Sequence, residues 1–126
     1  MSSRNKGMQY EKEFEKLLQD WGYTTERARG STKFNKKVDM FGLWDIISFN
    51  KEGWLFAQVK TDYRNKVYEE LKEWFDKFLP PKTCAVYAIR KKGKIGAARW
   101  KIAYVGQNQI TINLPIKVKQ KKSLNS

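Results

Sequence analysis

The stretch WDIISFNKEGWLFAQVK, residues 44–60, constrains the fold more than any other part of the chain. Two runs rich in β-branched and aromatic residues flank the turn-forming NKEG, which predicts a β-hairpin with strands over 44–49 and 54–60. Side chains alternate along a strand, so Trp54, Phe56, Gln58 and Lys60 share one face while Leu55, Ala57 and Val59 point to the other. A turn of that length sets Phe49 opposite Trp54. The same register brings Asp45 opposite Gln58, with Lys60 diagonally close. An acid, an amide and an amine thus gather at one end of a segment whose other residues suit a core.

The flanking sequence supplies the rest of a small sheet. Residues 7–21 carry Tyr10, Phe14, Leu17, Leu18 and Trp21 as one apolar stripe, which predicts an amphipathic helix stopped by Gly22. Residues 23–29 read as a polar strand and 30–42 as a basic loop without periodicity. A second helix is expected from Lys66 to Leu79, with Val67, Leu71, Trp74, Phe75 and Phe78 on one side and Pro80 and Pro81 ending it. TCAVYAIR, 83–90, has the composition of a buried strand; KKGKIG turns the chain, and RWKIAYVG and QITINLPI read as further strands. The order predicts a single domain over 1–116, a mixed sheet with helices packed on it (α/β or α+β), followed by a basic, flexible tail over 117–126.

Charge narrows the partners. Twenty-six Lys and Arg oppose thirteen Asp and Glu in 126 residues, a net +13. Such an excess repels itself until a polyanion relieves it, and nucleic acid is the first expectation. An anionic membrane surface comes second and a merely soluble basic protein is the bland alternative. No apolar run approaches the roughly 20 residues that span a bilayer, and MSSRNKG lacks the apolar core of a signal peptide, so an intracellular, cytoplasmic setting is expected. The one cysteine, Cys84, builds no disulfide framework. With no histidine, zinc sites of the usual kind and imidazole acid–base chemistry are excluded. A metal here has to be a hard ion on oxygen ligands, magnesium or manganese.

Those exclusions give the end of the hairpin a use. Phosphodiester hydrolysis calls for a divalent ion that polarises the phosphate and acidifies a water. Asp45 offers a charged oxygen, Gln58 an amide oxygen and Val59 a backbone carbonyl between them. Lys60 suits orienting or deprotonating the water, or neutralising charge on the phosphoryl oxygens. The bland alternative is a surface Asp–Lys pair, worth about 0–1 kcal/mol.

Taken together, Lys6-Gly7, Glu11 four residues on, RARGS at 27–31, Asp45, and QVK at 58–60 resemble the PD-(D/E)XK nuclease superfamily, in particular the archaeal-type Holliday junction resolvases and their viral relatives. The resemblance covers residues 6 to about 61 and rests on element order beyond. It implies a restriction-endonuclease-like mixed sheet flanked by helices, with an αβββαβ core. It also implies a catalytic set of Glu11, Asp45, Gln58 and Lys60, with magnesium (manganese as a substitute) on Asp45, Gln58, Val59 and Glu11. Periodicity alone would leave Glu11 on the helix surface; the resemblance brings it into the site. Two departures stand out. Gln58 occupies a position where the family usually has Glu, and the loop before Asp45 is long, with a fallback acid, Asp39.

Arg27, Arg29, Lys33, Lys36 and Lys37 flank the Gly30-Ser31 loop and, with Lys6, are expected to position phosphates; the resemblance implies that the Gly-Ser loop touches DNA, and the bland alternative is a solvated basic face. Phe34, Met40 and Phe41 either wedge into DNA or cover the core. The implied protein cuts four-way junctions in DNA recombination and repair, leaving 5′-phosphates, as a homodimer whose interface candidates are Trp100, Trp74 and Phe78. An archaeal, viral or phage source would suit it. Alternatives are a nuclease acting on flaps, single strands or duplex, and a catalytically silent nucleic-acid-binding module.

Overall fold

The computed structural model describes residues 3–28, 30–31, 36–37, 41–92 and 99–115, with side chains over 9–28, 41–92 and 99–115. Helix α1 (Ser3–Asp20) starts four residues earlier than the apolar stripe suggests, so Lys6 and Gly7 lie within the helix rather than at its entrance. It ends at Gly22, whose φ of 94° only glycine adopts without strain, and the Tyr23 N–H closes back on the Leu18 carbonyl at 2.9 Å. Strand β1 (Thr24–Arg27) follows. Inside the stretch read as a loop, β2 (Gly30–Ser31) and β3 (Lys36–Lys37) pair antiparallel, Gly30 with Lys37 and Ser31 with Lys36. Arg29, Lys33, Phe34, Asp39 and Met40, together with the 117–126 tail, lie outside the described residues.

The hairpin forms as its alternation predicts. Strands β4 (Ile46–Asn50) and β5 (Gly53–Lys60) pair with Phe49 opposite Trp54. Asn50 tightens the turn, its Oδ1 accepting the Glu52 N–H at 2.8 Å. Helix α2 (Asn65–Phe78) ends in a left-handed Leu79 before the two prolines and carries the chain across to β6 (Thr83–Arg90), which is parallel to β5. Strand β7 (Trp100–Asn108) completes a five-stranded sheet in the order β1-β4-β5-β6-β7. Residues 109–115 are not the further strand expected of QITINLPI. Gln109 takes a left-handed φ of 61°, and the segment is held by side chains instead: Gln107 brackets Ile112, and the Tyr104 hydroxyl accepts the Leu114 N–H. Ile112 and Leu114 are thereby buried against the core without a ladder.

The two faces of the sheet each bury one helix. On one face Phe14 and Leu18 of α1 meet Leu55, Ala57, Val59 and Ile102; on the other Leu71 and Phe75 of α2 meet Trp44, Phe56 and Tyr87. Trp100 packs against Phe14, centroids 4.8 Å apart and the rings tilted by 54°, and is core rather than interface. β6, between its two neighbours, is buried from Thr83 to Ile89, which explains its unbroken apolar run. No helix among the described residues is long and apolar enough to cross a membrane.

Two outcomes follow from this packing. A side chain at Gly106 would collide with the Phe75 ring, which is 1% exposed and enclosed by α2 and the sheet. Gly106→Val should cost about 1–3 kcal/mol in a urea unfolding titration. Burial pushes the Cys84 thiol up from 9.0 to about 12. The unfolded chain therefore loses this proton first, so the associated stability is complete below pH 9 and is lost as pH rises toward 12. Cys84→Ala should flatten the alkaline fall of the thermal midpoint. Tyr23 and Tyr104, also raised chiefly by burial, leave a residual slope at higher pH.

Candidate functional site

The ladder between β4 and β5 ends at Ile46 opposite Ala57, and Asp45 sits at the bend just before it. The Asp45 N–H donates to the Ala57 carbonyl at 2.9 Å, so two successive residues address one partner, as in a β-bulge. One step on, the Asp45 carboxylate takes the place of a strand carbonyl: its Oδ2 accepts the Val59 N–H at 2.7 Å. The Asp45 carbonyl accepts the Ala28 N–H at 2.7 Å, which ties the exit of β1 to the same point. Asp45 is thus held by the residues on either side of Gln58 and is 1% exposed.

In a regular strand the N–H and C=O of one residue face the same edge. The Val59 carbonyl therefore turns toward Asp45, as its N–H does. Alternation sends the Val59 side chain to the α1 face, and Gln58 to the α2 face beside Tyr87, its partner across the parallel ladder. Gln58 is 5% exposed, and its Oε1 has no hydrogen-bond partner among the described residues. Lys60 ends the strand on the same face as Gln58 and is exposed to solvent.

Glu11 approaches from the α1 face. Three glutamates lie close together on this helix, and Glu13 and Glu15 are engaged at its flanks. Glu13 accepts from Arg90 (3.0 Å) and Arg99 (3.3 Å), while Glu15 accepts from Thr25 (2.7 Å) and Arg27 (3.3 Å). Glu11, one turn before Phe14, lies at the centre of the buried stripe and is 3% exposed. Periodicity alone sets it at the surface because a charged residue reads as the margin of the stripe, yet its spacing of three to Phe14 and seven to Leu18 lines it up with the buried residues. Arg90 also lies over the Tyr10 ring at 4.8 Å, which sets the early turns of α1 above the ends of β5 and β6.

Of the residues expected to touch nucleic acid, Arg27 is half-buried and paired with Glu15. Gly30, Ser31, Lys36 and Lys37 form the small basic ladder that begins two residues past the Ala28–Asp45 bond. Lys6 is on α1, with its side chain outside the described set. Among the described residues no three acids or thiols cluster as a metal site.

The chain matches no protein-family model and no curated protein. Among solved structures it is similar to Hjc, a Holliday junction resolvase from the archaeal hyperthermophile Archaeoglobus fulgidus. The TM-score is 0.54 and the identity 20%, covering 79% of this chain and 73% of that one. At that identity the likeness is one of fold: the α/β, restriction-endonuclease-like mixed sheet flanked by helices that the resemblance implies, with β7 at its edge.

A buried amide oxygen without a partner lowers stability, so Gln58→Leu should raise the thermal midpoint of metal-free protein by roughly 3–6 °C. A lowered midpoint in differential scanning calorimetry would mean that Gln58 is a structural residue.

Proposed function

We propose that this protein is a metal-dependent, structure-specific endodeoxyribonuclease that hydrolyses phosphodiester bonds near the branch point of four-way DNA junctions. The observation that carries the reading is the end of β5. There a carboxylate and an amide, both nearly inaccessible, adjoin an exposed lysine, on a fold also seen in a junction resolvase. Buried polar groups of this kind lower stability and are kept for what they bind.

The donors suit a hard dication. Asp45 and Glu11 would hold magnesium, or manganese in its place, together with the Gln58 Oε1 and the Val59 carbonyl. When bound, the ion supplies charge stabilisation at the phosphate and makes a water more acidic. The chain's own groups do the rest. The Val59 N–H fixes the Asp45 carboxylate. Lys60, at the solvent side of the strand end, orients or deprotonates the attacking water, or neutralises charge building on the phosphoryl oxygens. The β2–β3 ladder, leaving β1 beside Asp45, offers the Gly30 and Ser31 backbone and Lys36 and Lys37 to the DNA backbone.

A two-fold dimer matches the two symmetric cuts a junction requires. Its interface is proposed around the end of α2, where Phe78, Leu79 and, from the turn before β4, Phe41 are 56%, 51% and 67% exposed around the half-buried Trp74. Trp74 and Phe78 line an open groove of about 730 Å³ between residues 42–43 and the helix. Gln58 also supports a second reading, a binding module that has lost its chemistry, because an amide removes one negative charge from the ion's shell.

Labelled junction, flap and linear duplex, each incubated with magnesium or manganese, test the proposal. Paired incisions confined to the junction are expected. Asp45→Asn, which keeps an acceptor for the Val59 N–H, and Lys60→Ala should each slow cutting by roughly 100-fold or more while junction binding is retained. Gln58→Glu should increase the rise in thermal midpoint that magnesium produces. Salt-sensitive binding with no cutting under either metal would overturn the enzymatic reading in favour of the silent module.

A further inference from the structure

Three residues past Lys60 the chain presents an aromatic ring that the proposed chemistry does not use. Tyr63 is 42% exposed, yet the peptide groups on both sides of it are clamped by one buried hydroxyl. Tyr87 donates to the Asp62 carbonyl at 3.2 Å and accepts the Arg64 N–H at 3.1 Å. The Tyr63 ring is supported by the Tyr87 ring, centroids 5.3 Å apart with 33° between the planes, and by Tyr68 at 6.1 Å. It is therefore a rigidly held ring, not a loose loop side chain.

Its surroundings are cationic and close to the candidate site. The Lys101 ammonium lies over the ring, 5.8 Å from the centroid. Lys60, Ile89 and Lys101 occupy one row across β5, β6 and β7, on the face that carries Tyr63. Asp62 and Arg64 pair with each other at 3.3 Å; Glu69, which accepts from the Asn65 amide, keeps its negative charge, and Lys60 and Lys101 together outweigh it. Gln58 sits beside Tyr87 in the ladder, about 4.8 Å away by strand spacing, and Tyr63 rests on that same Tyr87.

A held ring with one lysine over it and another in the same row suits a nucleobase with a free face, which would displace the Lys101 ammonium from the ring toward a flanking phosphate. Bases inside a continuous duplex are covered by their neighbours and have no such face. We infer that Tyr63 is a stacking platform for an unpaired nucleobase next to the scissile phosphate. The inference rests on the nucleic-acid side of the function proposed above and deepens it: the favoured substrate exposes an unstacked base beside the cut.

The test measures binding in chelator, where no cutting occurs. Short single-stranded oligonucleotides carrying 2-aminopurine and a matching duplex are titrated against wild type, Tyr63→Phe and Tyr63→Leu. Wild type and Tyr63→Phe should quench the 2-aminopurine emission and bind the single strand alike. Tyr63→Leu should bind it roughly 5- to 100-fold more weakly, with duplex affinity unchanged. Absence of quenching by wild type or Tyr63→Phe overturns the platform, whether or not Tyr63→Leu folds. So does a folded Tyr63→Leu that binds the single strand as wild type does, or that loses single strand and duplex equally. Cutting that survives alongside any of these results leaves the nuclease reading standing; Tyr63-dependent stacking without any cutting separates the two the other way.

Discussion

The hydrogen bond from the Val59 N–H to the Asp45 carboxylate, 2.7 Å long, is the contact on which the arrangement of the site depends. It lets a side chain finish a ladder that the backbone of β4 abandons. A carboxylate 1% exposed is costly to bury without strong donors, so the bend at Asp45 and the end of β5 have to form together. The same residue receives the Ala28 N–H, which brings the exit of β1, and the basic ladder beyond it, to the point where β4 turns away. One acid therefore sets the strand end, the orientation of the Val59 carbonyl and the departure of the basic hairpin.

Helix α1 is fixed on the sheet by its other acids. Glu15 grips Arg27 and Thr25 of β1 at one margin, and Glu13 grips Arg90 and Arg99 at the other. With both flanks tied down and Phe14 and Leu18 buried between them, the helix cannot roll, and Glu11 is directed inward. Half-buried pairs of this sort contribute modestly to stability but strongly to register, because an alternative rotation would bury their charges unpaired. The aromatic residues of the opposite face do different work. Tyr87 joins the core by its ring and fixes the turn after β5 by its hydroxyl, so packing on the α2 face also shapes the surface next to Lys60.

Much of this was legible in the chain itself. The alternation over 44–60 yields the hairpin and its Phe49–Trp54 register, and the stripes yield both helices. Where the reading failed, a non-local contact had won over a local pattern. QITINLPI alternates like a strand, but beyond Asn108 the chain turns through Gln109 and is held by the side chains of Gln107 and Tyr104. The sequence leaves Trp100 open to an interface, but Phe14, 86 positions away, packs against its ring in the core. Nothing within its own segment marks Tyr63; the nearest signal is an aromatic residue followed by Arg64 just after the charged strand end.

By itself the sequence determined the classes of structure and chemistry open to this protein. Period two and period three-and-a-half patterns specify strands and helices, and the lack of histidine limits any metal to oxygen donors. Tertiary structure alone decided which of three neighbouring glutamates is buried, where β4 lets go of β5, and which tyrosine lies open beside a lysine. Periodicity records only which side of an element is apolar. The neighbour each side meets depends on how the elements are tied to one another, through Asp45, Glu13, Glu15 and Tyr87, across separations no local pattern spans.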